Sequence, residues 1–363
     1  MTRIAILAQT IATADAVGND VSGMREALAA RGHDVRIYSE GWNVTGQEVW
    51  PASEIRDFLQ EPSDVVIYHH SIGWNEGVEL LRELRKSKTV LKYHNVTPPE
   101  FFAGVCPDFE SRCRIGREQL AGLALANYDL YLADSDFNLQ ELEEKGLSED
   151  RGFVVPPFHH TDRLCSLEPD LEVLDACRDG KANILMVGRV SPNKAHAELI
   201  EAFAKYYYNY NRHSQLLIIG NEEEVFETYY ESLRELISRL WLAGAVVFTG
   251  AVTDEALKAY YMTAHVFLTT SQHEGFCVPL VEAMAMKVPI VAYSSSAIPG
   301  TAGDAALVWS ERNPNLVAES INMIVSDEQV SGGLGLLGWR RYQQMFSNQK
   351  IEELFISALA NVL

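Results

Sequence analysis

The sequence predicts an α/β protein with parallel sheets covered by helices. Short apolar, β-branched runs alternate with helical patterns along most of the 363 residues, the pattern of a parallel sheet. Several of these runs end in polar loops carrying Gly, His, Arg or Glu, and in such sheets ligands bind at the carboxyl ends of the strands. The length suits two domains of about 150 residues each. The pair Pro156-Pro157 and the polar stretch 161–181 place the seam between 1–160 and 161–363.

In the first domain, strands are expected at 4–8, 34–38, 64–68, 89–93, 130–133 and 153–155, with helices at 21–31 and 76–86. The loop 9–19 follows the first strand, and Gly18 and Asn19 stand just ahead of the helix; an ordinary helix entry explains them equally well. The third and fourth strands end in HHSIGW (69–74) and HNVTPP (94–99), two histidine-bearing loops that suggest one wall of a site. His69 and Trp74 are candidate ligand contacts on that wall, since an aromatic face can pack on a ligand ring, although Trp is also a core residue. The stretch 100–127 is amphipathic, with Phe101, Phe102, Val105 and Phe109 near its start. Asp134-Ser135-Asp136 has the form of a metal-binding Asp-x-Asp, but a helix N-cap at Ser135 or Asp136 accounts for it, and no metal is expected.

In the second domain, NILMVGR leads into the loop Gly188-Arg189-Val190-Ser191-Pro192-Asn193-Lys194 and a helix over 195–208. Arg offers a planar fork of donors and Lys a compact charge, a pair suited to a diphosphate. The residues alone leave open a solvated loop with two surface cations. Strands follow at 215–220, 246–249, 266–269 and 290–292, helices at 222–240 and 254–263, and a Ser/Gly/Pro loop at 294–303. Helices at 315–325, 337–346 and 351–363 close the chain. The strand 265–270 runs into SQHEGFCVPLVEAM (271–284), a strand, a glycine loop and a helix with Pro279 in its first turn. Helix N-termini attract phosphate, and Gly275 lets the backbone come close. Glu274 is placed to face a ligand; Glu282, eight residues on, is placed in the first helical turn.

Composition narrows the partners. A formal net charge of −20 argues against nucleic acid, whose phosphates need a basic surface. No run approaches the ~20 apolar residues of a membrane-spanning helix. The opening MTRIAILA reads as a buried strand rather than a signal peptide. The five cysteines form no C-x-x-C pair, which fits a reducing cytosol and no zinc site.

The G-R-x-x-x-x-K loop, the two glutamates in HEGFCVPLVEAMAMKVPIVA and His94, in this order of domains, resemble retaining glycosyltransferases of GT-B fold, family 4. The resemblance is strong over 184–310 and moderate over 1–160. It implies two Rossmann-like domains with parallel sheets facing a central cleft, the first binding the acceptor and the second the nucleotide sugar, with the last helices crossing back to the first domain. It implies that Arg189 and Lys194 stabilise the leaving diphosphate, Glu274 and His94 orient the donor sugar, and Glu282 holds the ribose. The loops at Gly18 and Gly188 and the backbone of Gly275, Phe276 and Cys277 would complete the donor site, and His69 and Trp74 become candidate acceptor contacts. The family usually has Gly where Cys277 stands. The implied reaction moves a hexose from GDP-mannose or a UDP-hexose to a saccharide or lipid-linked saccharide in bacterial surface-polysaccharide assembly, with no cofactor and no metal. Related enzymes use a stretch like 100–127 to meet lipid-linked acceptors, while packing against the domain core explains its apolar residues equally well; a cytoplasmic protein is expected, in the first case with peripheral contact at the inner membrane face. A GT-B nucleotide-sugar epimerase and a non-catalytic nucleotide-sugar-binding protein are the alternatives.

Overall fold

The computed structural model describes residues 1–12, 15–44 and 46–363. The chain divides into two compact units: unit 1 is Met1–Glu100, Asp108–His160 and Asn348–Leu363, and unit 2 is Phe101–Pro107 and Thr161–Ser347.

Unit 1 is built on seven strands: β1 (Arg3–Ala12), β2 (Asp34–Asn43), β3 (Trp50–Pro51), β4 (Val65–His70), β5 (Lys88–Tyr93), β6 (Leu130–Ala133) and β7 (Gly152–Val154). Their order is β3-β2-β1-β4-β5-β6-β7, with parallel pairing throughout. Ile4 of β1 pairs with Val35 on one side and Val65 on the other. A strand so enclosed is covered on both faces, which is why it reads as a nearly continuous apolar run. Helix Ala16–Ala29 buries Val21, Met24 and Leu28 in the same core as Ile351, Phe355 and Leu359 of helix Asn348–Leu359. Each such side chain contributes about 1.5–3 kcal/mol relative to an exposed one.

The entry to this helix differs from expectation. β1 continues to Ala12, and the helix begins at Ala16 with Asp15 as its cap, whose carboxylate accepts the Gly18 N–H at 3.3 Å. Gly18 and Asn19 therefore lie within the first turn, not in a glycine loop ahead of it, and the Gly18 amide is already engaged. Glycine is needed at 18 because a Cβ would come within 2.6 Å of the Ala12 carbonyl oxygen. Residues 13 and 14 of the expected loop lie outside the described residues.

Unit 2 has six parallel strands: β8 (Ala182–Val187), β9 (Ser214–Ile219), β10 (Val246–Gly250), β11 (Val266–Thr269), β12 (Ile290–Tyr293) and β13 (Ala306–Trp309), ordered β10-β9-β8-β11-β12-β13. In each sheet the strand order reverses once, between β1 and β4 and between β8 and β11, and such switch points are where open α/β sheets bind ligands.

Four readings change here. The polar stretch 161–181 holds two short helices, Thr161–Ser166 and Leu171–Ala176, the second capped by Asp170. The expected helix at 222–240 is a 3₁₀ turn, Glu224–Phe226, followed by helix Glu227–Arg239. The loop 294–303 contains helix Ile298–Ala302, begun by Pro299, whose fixed φ suits a first turn. β3 and β13 were unread, because runs of two and four residues are too short to show a period. Among the described residues no helix is long and apolar enough to cross a membrane.

Candidate active site

In unit 2 the first loop follows β8. Gly188 has φ +144°, where side chains are disfavoured, and this opens the turn that presents Arg189. The 3₁₀ turn Pro192–Lys194 and the left-handed Ala195 then lead into helix His196–Asn209. Arg189 lies 3.3 Å from Glu223, and its guanidinium stands over the Phe226 ring, 5.9 Å from the centroid. Lys194 Nζ lies 2.6 Å from Glu274 Oε1, joining the loop after β8 to the loop after β11. These are the two strands flanking the switch point, so the charges predicted to meet a diphosphate and a sugar stand side by side. The loops are braced: Asn193 donates to the His273 carbonyl at 3.2 Å, Thr270 donates to the Ala195 carbonyl at 2.9 Å, and the Glu274 N–H donates to Ser296 Oγ at 2.7 Å.

Gly220, at the end of β9, supports the Gly188 turn from beneath, where a Cβ would sit 2.0 Å from the Gly188 carbonyl oxygen. Gly220→Ala must therefore displace that turn. We expect it to cost about 1–3 kcal/mol of stability, as overpacking does, and to weaken nucleotide binding; a thermal melt with and without nucleotide reads both. Unchanged values in both would show that the turn yields freely.

The second element, helix Val278–Ala285, begins after Cys277. Cys277 has φ +75°, a left-handed conformation that costs a residue with a side chain about 1–2 kcal/mol and glycine nothing. That is the physical reason the resembling family carries glycine there. The Cys277 thiol is buried, and burial together with the nearby Glu274 charge pushes its pKa well up, so it is not a thiolate. Gly275 is half-buried, and the Phe276 ring packs edge-on against Phe346 in the core, leaving backbone rather than ring for a ligand. Glu282 is the fifth residue of the helix, not in its first turn; it is buried and accepts the Tyr261 hydroxyl at 2.7 Å. Burial and the Glu282 charge push the Tyr261 phenol well above its usual range, so it stays a donor.

In unit 1, His94 follows β5 and is the centre of a buried cluster. Its Nδ1 lies 2.9 Å from Asp134 Oδ2 and its Nε2 lies 2.8 Å from His69 Nδ1. Asp134, just beyond β6, also meets Lys92 Nζ at 2.7 Å, and Lys92, wholly buried in β5, donates to the Val155 carbonyl. Asp20, on helix Ala16–Ala29, accepts the Phe158 N–H at 2.8 Å through Oδ1. Its other oxygen, buried and without a hydrogen-bond partner, lies 3.5 Å from His94 Nε2 and 3.8 Å from both His69 Nδ1 and Lys92 Nζ. Donor atoms of Asp20, His69 and His94 lie within 4.8 Å of one another, a spacing open to a metal. The Lys92 ammonium beside the same Asp20 oxygen makes a second cation there unfavourable, so the residues do not fit one.

The structure corrects both acceptor candidates. His69 is buried and serves as the partner of His94, with burial as the main cause of a pKa well below the usual imidazole range. Trp74 is 3% exposed and its ring stacks on Tyr68, so it belongs to the core and presents no face to a sugar. Asp134 is not part of a helix cap: Ser135 alone caps helix Asp136–Glu144, accepting the Asn138 N–H. Sequence reasoning missed Asp20 and Lys92 and set Asp134 aside. One signal was available, a lysine inside the apolar run TVLKY, since a buried lysine needs paired acids.

Residues 176–334 match the family described as glycosyl transferases group 1. Among curated relatives, mannosylfructose-phosphate synthase of Agrobacterium fabrum is 29% identical over 169 residues, 45% of this chain and 37% of that protein. O-antigen chain mannosyltransferase B of Escherichia coli is 24% identical over 298 residues, 78% of this chain and 69% of that protein. The first of these matches thus spans well under half of the relative's length. Among solved structures, Anabaena HepE in complex with UDP and glucose superposes with a TM-score of 0.77 at 16% identity, over 99% of this chain and 100% of that one. WaaG, a glycosyltransferase involved in lipopolysaccharide biosynthesis, gives 0.73 at 16% identity over 98% and 99%. The two parallel α/β units share the GT-B fold of these structures, and the stretch similar to group 1 glycosyl transferases bears Arg189, Lys194, Glu274 and Glu282.

Proposed function

We propose that the protein is a retaining hexosyltransferase that moves mannose from GDP-mannose to a saccharide or lipid-linked saccharide in polysaccharide assembly. The observation that carries this reading is the Lys194–Glu274 pair at the unit 2 switch point, 2.6 Å apart and bracketed by Arg189 and the start of helix Val278–Ala285. The donor's diphosphate competes with Glu274 for Lys194. The phosphates take the ammonium and the Arg189 fork, and Glu274 is released to accept the sugar's hydroxyls. Cations aimed at the leaving diphosphate stabilise charge that grows in the transition state. The acceptor hydroxyl attacks on the face the diphosphate leaves, and the departing phosphate takes its proton. Glu282, its position set by Tyr261, holds the ribose. The mannosyltransferase relatives support the sugar. The neighbour solved with UDP and glucose supports a UDP-hexose as the second reading.

Calorimetric binding of GDP and UDP, without metal, to wild type and Arg189→Ala tests the donor site. GDP should bind more tightly than UDP, and the variant should lose about tenfold or more, the scale of one charge-assisted hydrogen bond. UDP preference moves the donor to a UDP-hexose. Binding indifferent to Arg189 sinks the site. An epimerase would turn the donor into an isomer with no acceptor present, and a non-catalytic binder would release no nucleotide.

A further inference from the structure

We infer that Asp134, clamped by Lys92, is a positioning residue for His94, and that Asp20 and His94 share one proton that keeps this buried cluster neutral. The inference rests on the proposed function together with the part in orienting the donor sugar that the family resemblance gives His94.

The geometry assigns the first half. Asp134 spends one oxygen on Lys92, at 2.7 Å, and the other on His94 Nδ1, at 2.9 Å. A carboxylate only accepts, so Nδ1 carries the proton and Nε2 is left as the ring's variable position. Lys92 has no freedom to leave: it is wholly buried and also tied to the Val155 carbonyl. The His94 ring is thus held in orientation and tautomer by a residue that need not touch substrate.

Charge counting assigns the second half. The groups facing His94 are Asp20 from helix Ala16–Ala29, His69 and His70 from β4, Lys92 from β5 and Asp134 after β6. Both histidines of β4 are held neutral, chiefly by burial. Two carboxylates then face one lysine, a net charge of −1 among buried groups. An isolated buried charge is costly, and one added proton removes it. The acceptors for that proton are the unpartnered Asp20 Oδ2 and His94 Nε2, 3.5 Å apart. Supporting this, burial raises the Asp20 pKa against the opposing pull of Lys92 and His94. Asp134 moves the other way: burial acts to raise it, but His94 and Lys92 together overcome that and lower it. Asp134 therefore stays ionised while Asp20 takes up the proton. Moving it to His94 makes an imidazolium whose second N–H points at His69 and Asp20, and His69, which donates through Nδ1 to the bare Nε2, must then carry its proton on its own Nε2 and accept through Nδ1. A sugar oxygen that takes this N–H must displace His69 Nδ1, now 2.8 Å away.

The test uses the whole protein labelled with ¹⁵N in its histidine rings, His94 being assigned by its loss in His94→Gln. Two variants are compared with wild type: Lys92→Met/Asp134→Asn, which removes both members of the ion pair so that no lone buried charge remains, and Asp20→Asn. In wild type, Nδ1 of His94 should be protonated at every pH at which the protein is folded. In the double variant both neutral tautomers should appear, with kcat down at least tenfold, since a small misplacement of a group that orients the reacting sugar costs up to about 10². GDP and UDP affinity should stay within twofold, since the contacts proposed for the nucleotide belong to unit 2. In Asp20→Asn, which removes one of the two acceptors of the shared proton, the His94 Nε2 signal should change while Nδ1 stays protonated. An unprotonated Nδ1 in wild type, an unchanged tautomer in the double variant, or one equivalent of tightly bound zinc would overturn the inference. If wild type transfers no sugar, the proposed function fails, while the ring spectra still decide the cluster.

Discussion

Lys92→Met is expected to cost about 3–5 kcal/mol of stability at neutral pH, the usual penalty for removing one partner of a buried ion pair. A domain stability of about 5–15 kcal/mol leaves little after such a loss. The lysine is the sole fixed cation in contact with Asp20 and Asp134 among the described residues, and both acids are buried. The pH dependence gives the mechanism away. In wild type, Asp134 has a lowered folded pKa, so its contribution is present above its unfolded pKa and lost as pH falls through the folded value. Asp20 has a raised folded pKa, so its contribution is present below its unfolded pKa and lost as pH rises through the folded value. Without Lys92 both acids move upward and prefer to be protonated. The deficit of the variant should therefore be largest at pH 7 and shrink as the pH is lowered toward 5. Urea denaturation of both proteins at the two pH values measures this. A deficit that does not change with pH would mean that lost packing, not lost charge, is the cause. Adding Asp134→Asn to the variant should restore part of the stability.

Lys194→Gln is expected to lower kcat/KM for sugar transfer by about 10²–10³, the cost of removing one aimed electrostatic group from a developing negative charge. Glutamine keeps an N–H donor toward Glu274, now 2.6 Å from the ammonium, so the loops after β8 and β11 should hold together. The melting temperature should stay close to that of wild type, and only the charge offered to the diphosphate is gone. The measurement is release of nucleotide with a saccharide acceptor, followed at saturating and limiting donor. A variant that turns over at the wild-type rate would remove Lys194 from the transition state. It would leave the residue as a structural partner of Glu274.

The strands, the two sheets and the unit 2 loops were legible because each is local. Parallel strands buried on both faces are continuous apolar runs, as in NILMV and HVFLT, and the glycines and basic residues of GRVSPNK follow in the next seven positions. A phosphate site built on a strand end and a helix start is written within one stretch of chain. Side-chain burial is not written there. Trp74 and His69 look like loop residues in sequence, yet Trp74 stacks on Tyr68 and His69 meets His94 across neighbouring strands. Gly18 looks like a loop glycine, but an Asp15 cap three residues earlier draws it into the helix.

By itself, then, the sequence determined the α/β class and the strand-and-loop elements of unit 2 that carry Arg189, Lys194 and Glu274, because those depend on neighbours a few residues apart. Only the tertiary structure decided that Asp20, His69, Lys92, His94 and Asp134, drawn from a span of more than a hundred residues, form one charge cluster. The register of β4, β5 and β6 brings them together, and register is set by the packing of whole strands rather than by any motif.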